Sequence, residues 1–213
     1  MNRDVIKAIV FDLDGTLYVS DAFEHAVWES VSRYAGELLG ISAEAGGQRI
    51  KELRQRLTEE RGTLQTLAVA IEVLGGTVPE MHRRFAEELD PHDYIEPDPR
   101  VLPLIAMLTE RYTCWLLTNN NRILTSKILA CLGLEESFQR VITINDTWRP
   151  KPDQEVFDQV LSDLGLPSEA VLFVGDRYDI DLRLPKQQGC PVLLTKTIDE
   201  LMQLEVLIPS DGI

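Results

Sequence analysis

Basic residues are in short supply. The chain carries 21 Lys and Arg against 35 Asp and Glu, a formal net charge of -14. A surface this acidic repels polyanions, and no run of Lys or Arg interrupts it. Nucleic acid and anionic membrane surfaces are therefore excluded as partners, and an anionic substrate needs local positive charge from a metal or a few chosen side chains. Cysteine is also scarce: Cys114, Cys131 and Cys190 are odd in number and widely spaced, which suits neither a disulfide framework nor a zinc site. Each lies in or beside an apolar stretch and reads as a buried free thiol, as expected in a reducing cytoplasm. Long apolar runs are missing. Ala8-Ile9-Val10-Phe11 is too short for a signal peptide or a membrane span, which makes the cytoplasm the expected location. No P-loop pattern occurs, which argues against an ATP-driven kinase, and there is no internal repeat or low-complexity segment.

What is present is an ordinary globular composition, 44% hydrophobic and 26% charged over 213 residues, enough for one large domain or one domain with an insert. Residues 5–11 form a short β-branched stretch ending at the turn Asp14-Gly15. Similar stretches follow at 113–117, 141–144, 171–174 and 191–194. Helical patterns lie between them at 122–132, 154–164 and 180–188. A capping box, Thr197-Ile198-Asp199-Glu200, opens a last helix over 201–206. Alternating strands and helices predict an α/β fold, a doubly wound parallel sheet with right-handed crossovers.

Residues 19–97 read differently, with no convincing strand. Phe23, Val27, Val31, Tyr34 and Leu38 make one helical stripe, and Ile50, Leu53 and Leu57 start another. Leu64, Leu67, Ile71 and Leu74 make a third, stopped by Gly75-Gly76. Thr77-Val78-Pro79-Glu80 opens a fourth through Phe85 and Leu89, and Pro91, Pro97 and Pro99 punctuate the exit. The expected organisation is an α/β core made of 1–17 and 98–213, with a helical-bundle insert over 18–97.

Four places could carry chemistry. Asp12-Leu13-Asp14-Gly15-Thr16 follows the first strand, where ligands gather in parallel sheets. Two carboxylates one residue apart can face one small volume, one attacking while the other manages a proton. A solvated Asp-Gly turn is the plain alternative. Thr118-Asn119 offers a hydroxyl and a backbone N–H at a helix start, which suits phosphate and equally a helix cap. Lys151, between Pro150 and Pro152, is a compact charge suited to phosphate or simply a surface lysine. Asp176, Asp179 and Asp181 crowd a loop after the fourth strand. Such crowding calls for a cation, and oxygen-only donors point to magnesium; acids favouring a helix N-terminus are the alternative.

Taken in order, Asp-x-Asp-Gly-Thr, Thr-Asn, Lys-Pro and Gly-Asp with a further Asp resemble the four motifs of the haloacid dehalogenase superfamily, over nearly the whole chain from Val5 to Leu194. The insert sits where that family places a small helical cap. The resemblance implies a Rossmann-like core and a Mg2+-dependent phosphatase. Asp12 would be the nucleophile and Asp14 the acid and base. Thr118, the Asn119 N–H and Lys151 would hold phosphate. Asp12, the Asp14 carbonyl and Asp176 would hold magnesium, with Asp181 assisting and Asp179 a rival for that outer role. Asp14 speaks for phosphate chemistry, because dehalogenase members do not normally have Asp there.

The resemblance also bears on the substrate, a small-molecule phosphomonoester. Leu17-Tyr18, Glu60-Arg61-Gly62-Thr63-Leu64, Tyr94-Ile95-Glu96-Pro97-Asp98-Pro99 and Leu117-Thr118-Asn119 look like pyrimidine 5′-nucleotidase-like members and suggest a nucleoside monophosphate. The Gly175-Asp176-Arg177 loop looks more like the phosphoglycolate phosphatase-type group. Arg49, Arg54, Arg56 and Arg61 could bring positive charge to the cap, although a solvated helix face accounts for most of them. His25, His82 and His92 have no partner motif and read as structural or surface residues. Alternatives to the phosphatase are a phosphomutase of the same fold and a catalytically silent binding module. The motif order argues against a signalling receiver domain. The oligomeric state is not legible.

Overall fold

The computed structural model describes residues 5–207. Strand β1 (Ala8–Phe11) leads into four helices, α1 (Asp21–Leu39), α2 (Ala43–Arg61), α3 (Leu67–Val73) and α4 (Val78–Glu88). The chain then runs through α5 (Val101–Thr109), β2 (Thr113–Leu117), α6 (Arg122–Leu132), β3 (Arg140–Ile142), α7 (Ile144–Thr147), α8 (Gln154–Leu164) and β4 (Val171–Gly175). A single π-helical turn over Tyr178–Leu182 precedes α9 (Arg183–Gln187), β5 (Val192–Leu194), α10 (Ile198–Leu201) and α11 (Leu204–Leu207).

The five strands form one parallel sheet in the order β3-β2-β1-β4-β5. The chain builds outward on one side of β1 and then returns to the other, so β1 and β4 meet at the switch point where a parallel sheet opens a crevice at its carboxyl edge. Both faces are covered, as parallel sheets require. Ile9, Phe11, Cys114, Leu116, Leu172 and Val174 point into one apolar cluster. Ala8, Val10, Trp115, Leu117, Val171 and Phe173 alternate into the other, against Val156, Phe157 and Val160 of α8.

The first cluster continues without a break from the sheet into the α1–α4 segment, through Leu13, Tyr18, Phe23, Tyr34, Ile50, Ile71, Met81 and Phe85. The two chain crossings between sheet and helices are stitched together. Ser20 Oγ accepts from Phe23 N at 3.1 Å, capping α1, and donates to Tyr94 O at 2.6 Å. From the sheet side, Asn121 Nδ2 donates to His82 O at 3.0 Å, and Lys127 Nζ donates to Ala86 O and Leu89 O at 3.0 and 3.1 Å. Lys127 thereby satisfies carbonyls at the C-terminal end of α4 that no helical N–H reaches.

Several expected boundaries shift. Helix α2 starts at Ala43, seven residues before Ile50 and just after the Ser42 cap, and runs through Gly46-Gly47. Leu64 falls outside α3 and is 40% exposed. Helix α5 had no counterpart in the periodicity reading. The single last helix divides into α10 and α11, with Thr197 Oγ1 accepting from Glu200 N at 3.2 Å, while the Glu200 carboxylate accepts from Lys196 N rather than closing a box on Thr197. All three cysteines are free, Cys114 and Cys190 buried and Cys131 half-buried. No described helix is long and apolar enough to cross a membrane.

Candidate active site

Residue Asp12 is the first past β1 and is 3% exposed, its N–H bound to Val174 O at 2.9 Å on the neighbouring strand. The carboxylate is gripped on both oxygens. Lys151 Nζ donates to Oδ1 at 2.6 Å and Thr16 Oγ1 to Oδ2 at 3.3 Å. The same ammonium donates to Leu117 O at 2.8 Å and lies 2.7 Å from Asp181 Oδ1 as an ion pair. Lys151 is therefore no surface lysine; it is 7% exposed and joins the ends of β1 and β2 to the loop after β4. Its burial works against its charge, but Asp12 and Asp181 outweigh that and hold its pKa above the ordinary lysine value.

The loop after β1 turns at Gly15, where φ is +77° and a Cβ would come within 2.6 Å of Asp176 Oδ2. Glycine is thus required both by the backbone and by the approach of the acid. Asp14 is half-buried. Its carboxylate accepts from Tyr18 OH at 2.5 Å and from Asn120 Nδ2 at 2.9 and 2.8 Å, with Thr118 Oγ1 at 3.5 Å.

The run 118–121 divides its labour. Thr118 faces Asp14. The Asn119 side chain clamps the Lys151 backbone, accepting from its N–H at 2.7 Å and donating to its carbonyl at 3.2 Å. Asn120 holds Asp14. The helix cap expected near Thr118-Asn119 is Asn121, whose Oδ1 accepts from Leu124 N at 2.9 Å. Tyr18 and Asn120 are the residues that sequence reasoning did not assign to the site; the polar run Thr-Asn-Asn-Asn was the available signal for Asn120.

The acids after β4 divide as well. One carboxylate oxygen from each of Asp12, Asp176 and Asp181 lies within 4.8 Å of the others. Asp179 is turned away, 3.6 Å from Arg183 Nε and 42% exposed at its side chain. Burial pushes the Asp12 carboxyl up to about 7, with Lys151 pulling it down and Asp181 pushing it up again. Burial likewise raises Asp176 to about 6, against the field of Arg177. Asp176 Oδ1 is buried and makes no hydrogen bond among the described residues; Arg177 Nε lies 3.4 Å away as an ion pair. Three converging carboxylates, an orphaned oxygen and an all-oxygen donor set suit a hard divalent cation such as magnesium.

A cavity of about 640 Å³ opens beside these acids. Asp14, Gly15, Asn119, Asn120 and Arg177 line it from the sheet edge, and residues of α1, α2 and α4 line it from the other side. A buried carboxylate, a second carboxylate two residues on, a lysine and an acidic cluster thus meet beside this cavity.

Residues 6–189 match the haloacid dehalogenase-like hydrolase family, and the chain belongs to it. Glyceraldehyde 3-phosphate phosphatase of Methanopyrus kandleri is 26% identical, over 87% of this chain and 82% of the relative. Phosphoglycolate phosphatase of Salmonella typhimurium is 29% identical, over 87% and 79%. Among solved structures, the HAD phosphatase from Thermococcus onnurineus superposes with a TM-score of 0.65 at 20% identity, covering 98% of this chain and all of that one. That likeness speaks for the α/β Rossmann-like fold.

Proposed function

We propose that this chain is a magnesium-dependent phosphomonoester hydrolase that works through an aspartyl-phosphate on Asp12, with residues 18–97 acting as a cap over the site. The observation that carries the reading is the shared Lys151 ammonium, 2.6 Å from Asp12 and 2.7 Å from Asp181 in a buried setting. It holds the nucleophile in place and supplies positive charge where a phosphoryl group arrives. The two relatives named above, both phosphatases of small phosphorylated metabolites by name, support the same class.

In this reading an Asp12 oxygen attacks phosphorus while the ester P–O bond breaks, and Asp14 gives its proton to the leaving alkoxide. Water then attacks phosphorus, Asp14 takes a proton from it, the Asp12–phosphorus bond breaks, and alcohol and inorganic phosphate leave. Tyr18 and Asn120 fix the Asp14 carboxylate, and Thr118 and Lys151 face the phosphoryl oxygens. Asp12, Asp176 and Asp181 would hold magnesium, which when bound contributes charge neutralisation to phosphoryl transfer. The cap excludes water and selects among phosphorylated substrates, with nucleoside monophosphates and phosphoglycolate-like acids the two classes to compare.

The test is phosphate release from nucleotides, sugar phosphates and phosphoglycolate with and without magnesium. Turnover should require magnesium and fall by about 10⁴-fold or more in Asp12→Asn while the circular dichroism stays native. Wild-type-like turnover in that variant would remove the nucleophile assignment. An isomer with little free phosphate would turn the reading to a mutase.

A further inference from the structure

Three arginines of α2 show how the helix divides its charge. Arg49 pairs with Glu52 at 3.3 Å and Arg56 with Glu60 at 4.0 Å, both on the exposed face. Arg54 is half-buried, lines the cavity, and has no carboxylate within ion-pair distance among the described residues. It is nevertheless held in place. Its Nε donates to Gln65 O at 2.8 Å. Gln65, 7% exposed, is fixed in turn: Arg61 Nη1 donates to its Oε1 at 3.0 Å, its own Nε2 donates to Thr63 O at 2.8 Å, and its N–H binds Thr58 Oγ1 at 3.3 Å.

Using Nε on a carbonyl leaves the two terminal nitrogens without a protein partner among the described residues, the fork that takes a carboxylate on two parallel hydrogen bonds. A half-buried guanidinium without a counter-charge is unfavourable. Burial, and behind it the positive field of Arg177 at the sheet edge of the same cavity, both lower the Arg54 pKa. The acids on the cavity lining do not compensate. Asp14 is already bound by Tyr18 and Asn120, and Asp21 and Glu24 are exposed on the first turn of α1. Arg177 is paired with Asp176 and Asp181 at 3.4 and 3.8 Å, so it is the unpaired Arg54 guanidinium that calls for an anion beyond the phosphoryl group.

We infer that Arg54 is a specificity-determining residue that binds a carboxylate on the substrate, so that the preferred substrate is a short phosphorylated hydroxy acid rather than a neutral phosphorylated aldehyde or a nucleotide. The inference rests on the phosphatase reading and deepens it. Because the carboxylate takes no part in the bond changes at phosphorus, Arg54 acts mainly on substrate binding, and KM should move more than kcat.

The experiment compares 2-phosphoglycolate, glyceraldehyde 3-phosphate, a nucleoside monophosphate and p-nitrophenyl phosphate on wild type, Arg54→Gln and Arg54→Lys, with magnesium. Wild type should favour phosphoglycolate. Arg54→Gln should lower the phosphoglycolate-to-p-nitrophenyl phosphate ratio of kcat/KM by about 30-fold, mostly through KM, and Arg54→Lys should recover only part of it. Hydrolysis of p-nitrophenyl phosphate with a ratio that Arg54→Gln does not change overturns the inference and leaves the phosphatase standing. If wild type hydrolyses none of the four, the phosphatase reading fails. The inference is then decided by calorimetric titration of phosphoglycolate into Asp12→Asn with and without Arg54→Gln, where equal affinities overturn it. A melting temperature for each variant shows that it is folded.

Discussion

Asp14 is bound by side chains from two places in the chain, Tyr18 four residues on and Asn120 after β2. Asn120 donates from one nitrogen toward both carboxylate oxygens, which fixes the plane in which Asp14 would present a proton. Asn120 is thus a positioning residue. Replacing it with Ala should cost about 10- to 100-fold in kcat on an alkyl phosphate, a fraction of the 10²–10⁴ that general acid catalysis supplies. The loss should be clearly smaller on p-nitrophenyl phosphate, whose leaving group needs little protonation. Equal losses on both substrates would mean that Asn120 only supports the fold. Much of this site was legible. Asp12, Asp14 and Asp176 stand just past strand ends, Asp181 in the turn after β4 and Lys151 just before α8, and strand ends and helix starts follow from local pattern. Tyr18, Asn120 and the choice of Asp181 over Asp179 were not, because each depends on which way a side chain points once a turn has closed. The π-helical turn over Tyr178–Leu182 makes that choice, burying Asp181 and leaving Asp179 to Arg183.

Helices α1 and α2 approach each other through glycine. A Cβ on Gly46 would lie 2.4 Å from Gly36 N and 2.6 Å from Ser32 O, backbone against backbone, whereas one on Gly47 would meet the Ser32 hydroxyl at 2.6 Å, which can rotate. Gly46→Ala gains about 1 kcal/mol of helix propensity. It loses more by forcing two helix backbones apart, since overpacking costs roughly 1–3 kcal/mol even among movable side chains. We expect a net loss of about 2 kcal/mol for Gly46→Ala, a fall of roughly 4–8 °C in melting temperature for a chain of this size, and a smaller change for Gly47→Ala. A more stable Gly46→Ala protein would show that the helices can part freely. The same pair explains part of what the sequence hid at this scale. Gly46-Gly47 interrupts an apolar stripe without interrupting a helix, so α2 showed in the pattern only from Ile50. Helix α5 escaped for another reason. It is short and apolar on nearly every side, burying Val101, Leu104, Ile105 and Leu108, so it has no polar face to set a period, and Pro103 stands in its first turn. The strands β1, β2 and β4 were plain because both their faces are buried, leaving continuous β-branched and aromatic runs.

At the scale of the whole molecule, one histidine reports on the junction between the helical segment and the sheet. His82 is 6% exposed on α4, its ring edge-on to Phe85 at 5.6 Å, its Nδ1 without a partner among the described residues, and its backbone carbonyl tied to Asn121. Burial alone lowers its pKa from 6.5 to about 4. A group that binds its proton less well folded than unfolded supports the native state fully above the unfolded value, and that support is lost as pH falls from 6.5 through 4. Each tenfold in proton affinity is worth about 1.4 kcal/mol, so roughly 3 kcal/mol is at stake. Asp12 and Asp176 act in an overlapping window with the opposite sign. Held up to about 7 and about 6, they favour the native state more as pH falls toward the ordinary carboxylate range. Glu80, hydrogen-bonded by Arg83 and Arg84, titrates lower, being held at about 2. The His82 contribution is therefore read as a difference between two proteins. Urea unfolding of wild type and His82→Met, each from pH 7 to pH 4.5, cancels the carboxylates common to both. Wild type should lose about 2 kcal/mol more than the variant across that range, and the junction of α4 with α6 should be the first region to lose amide protection in acid. Parallel profiles would mean that the imidazole takes up its proton in place, and that the packing between the helical segment and the sheet opens to water without unfolding.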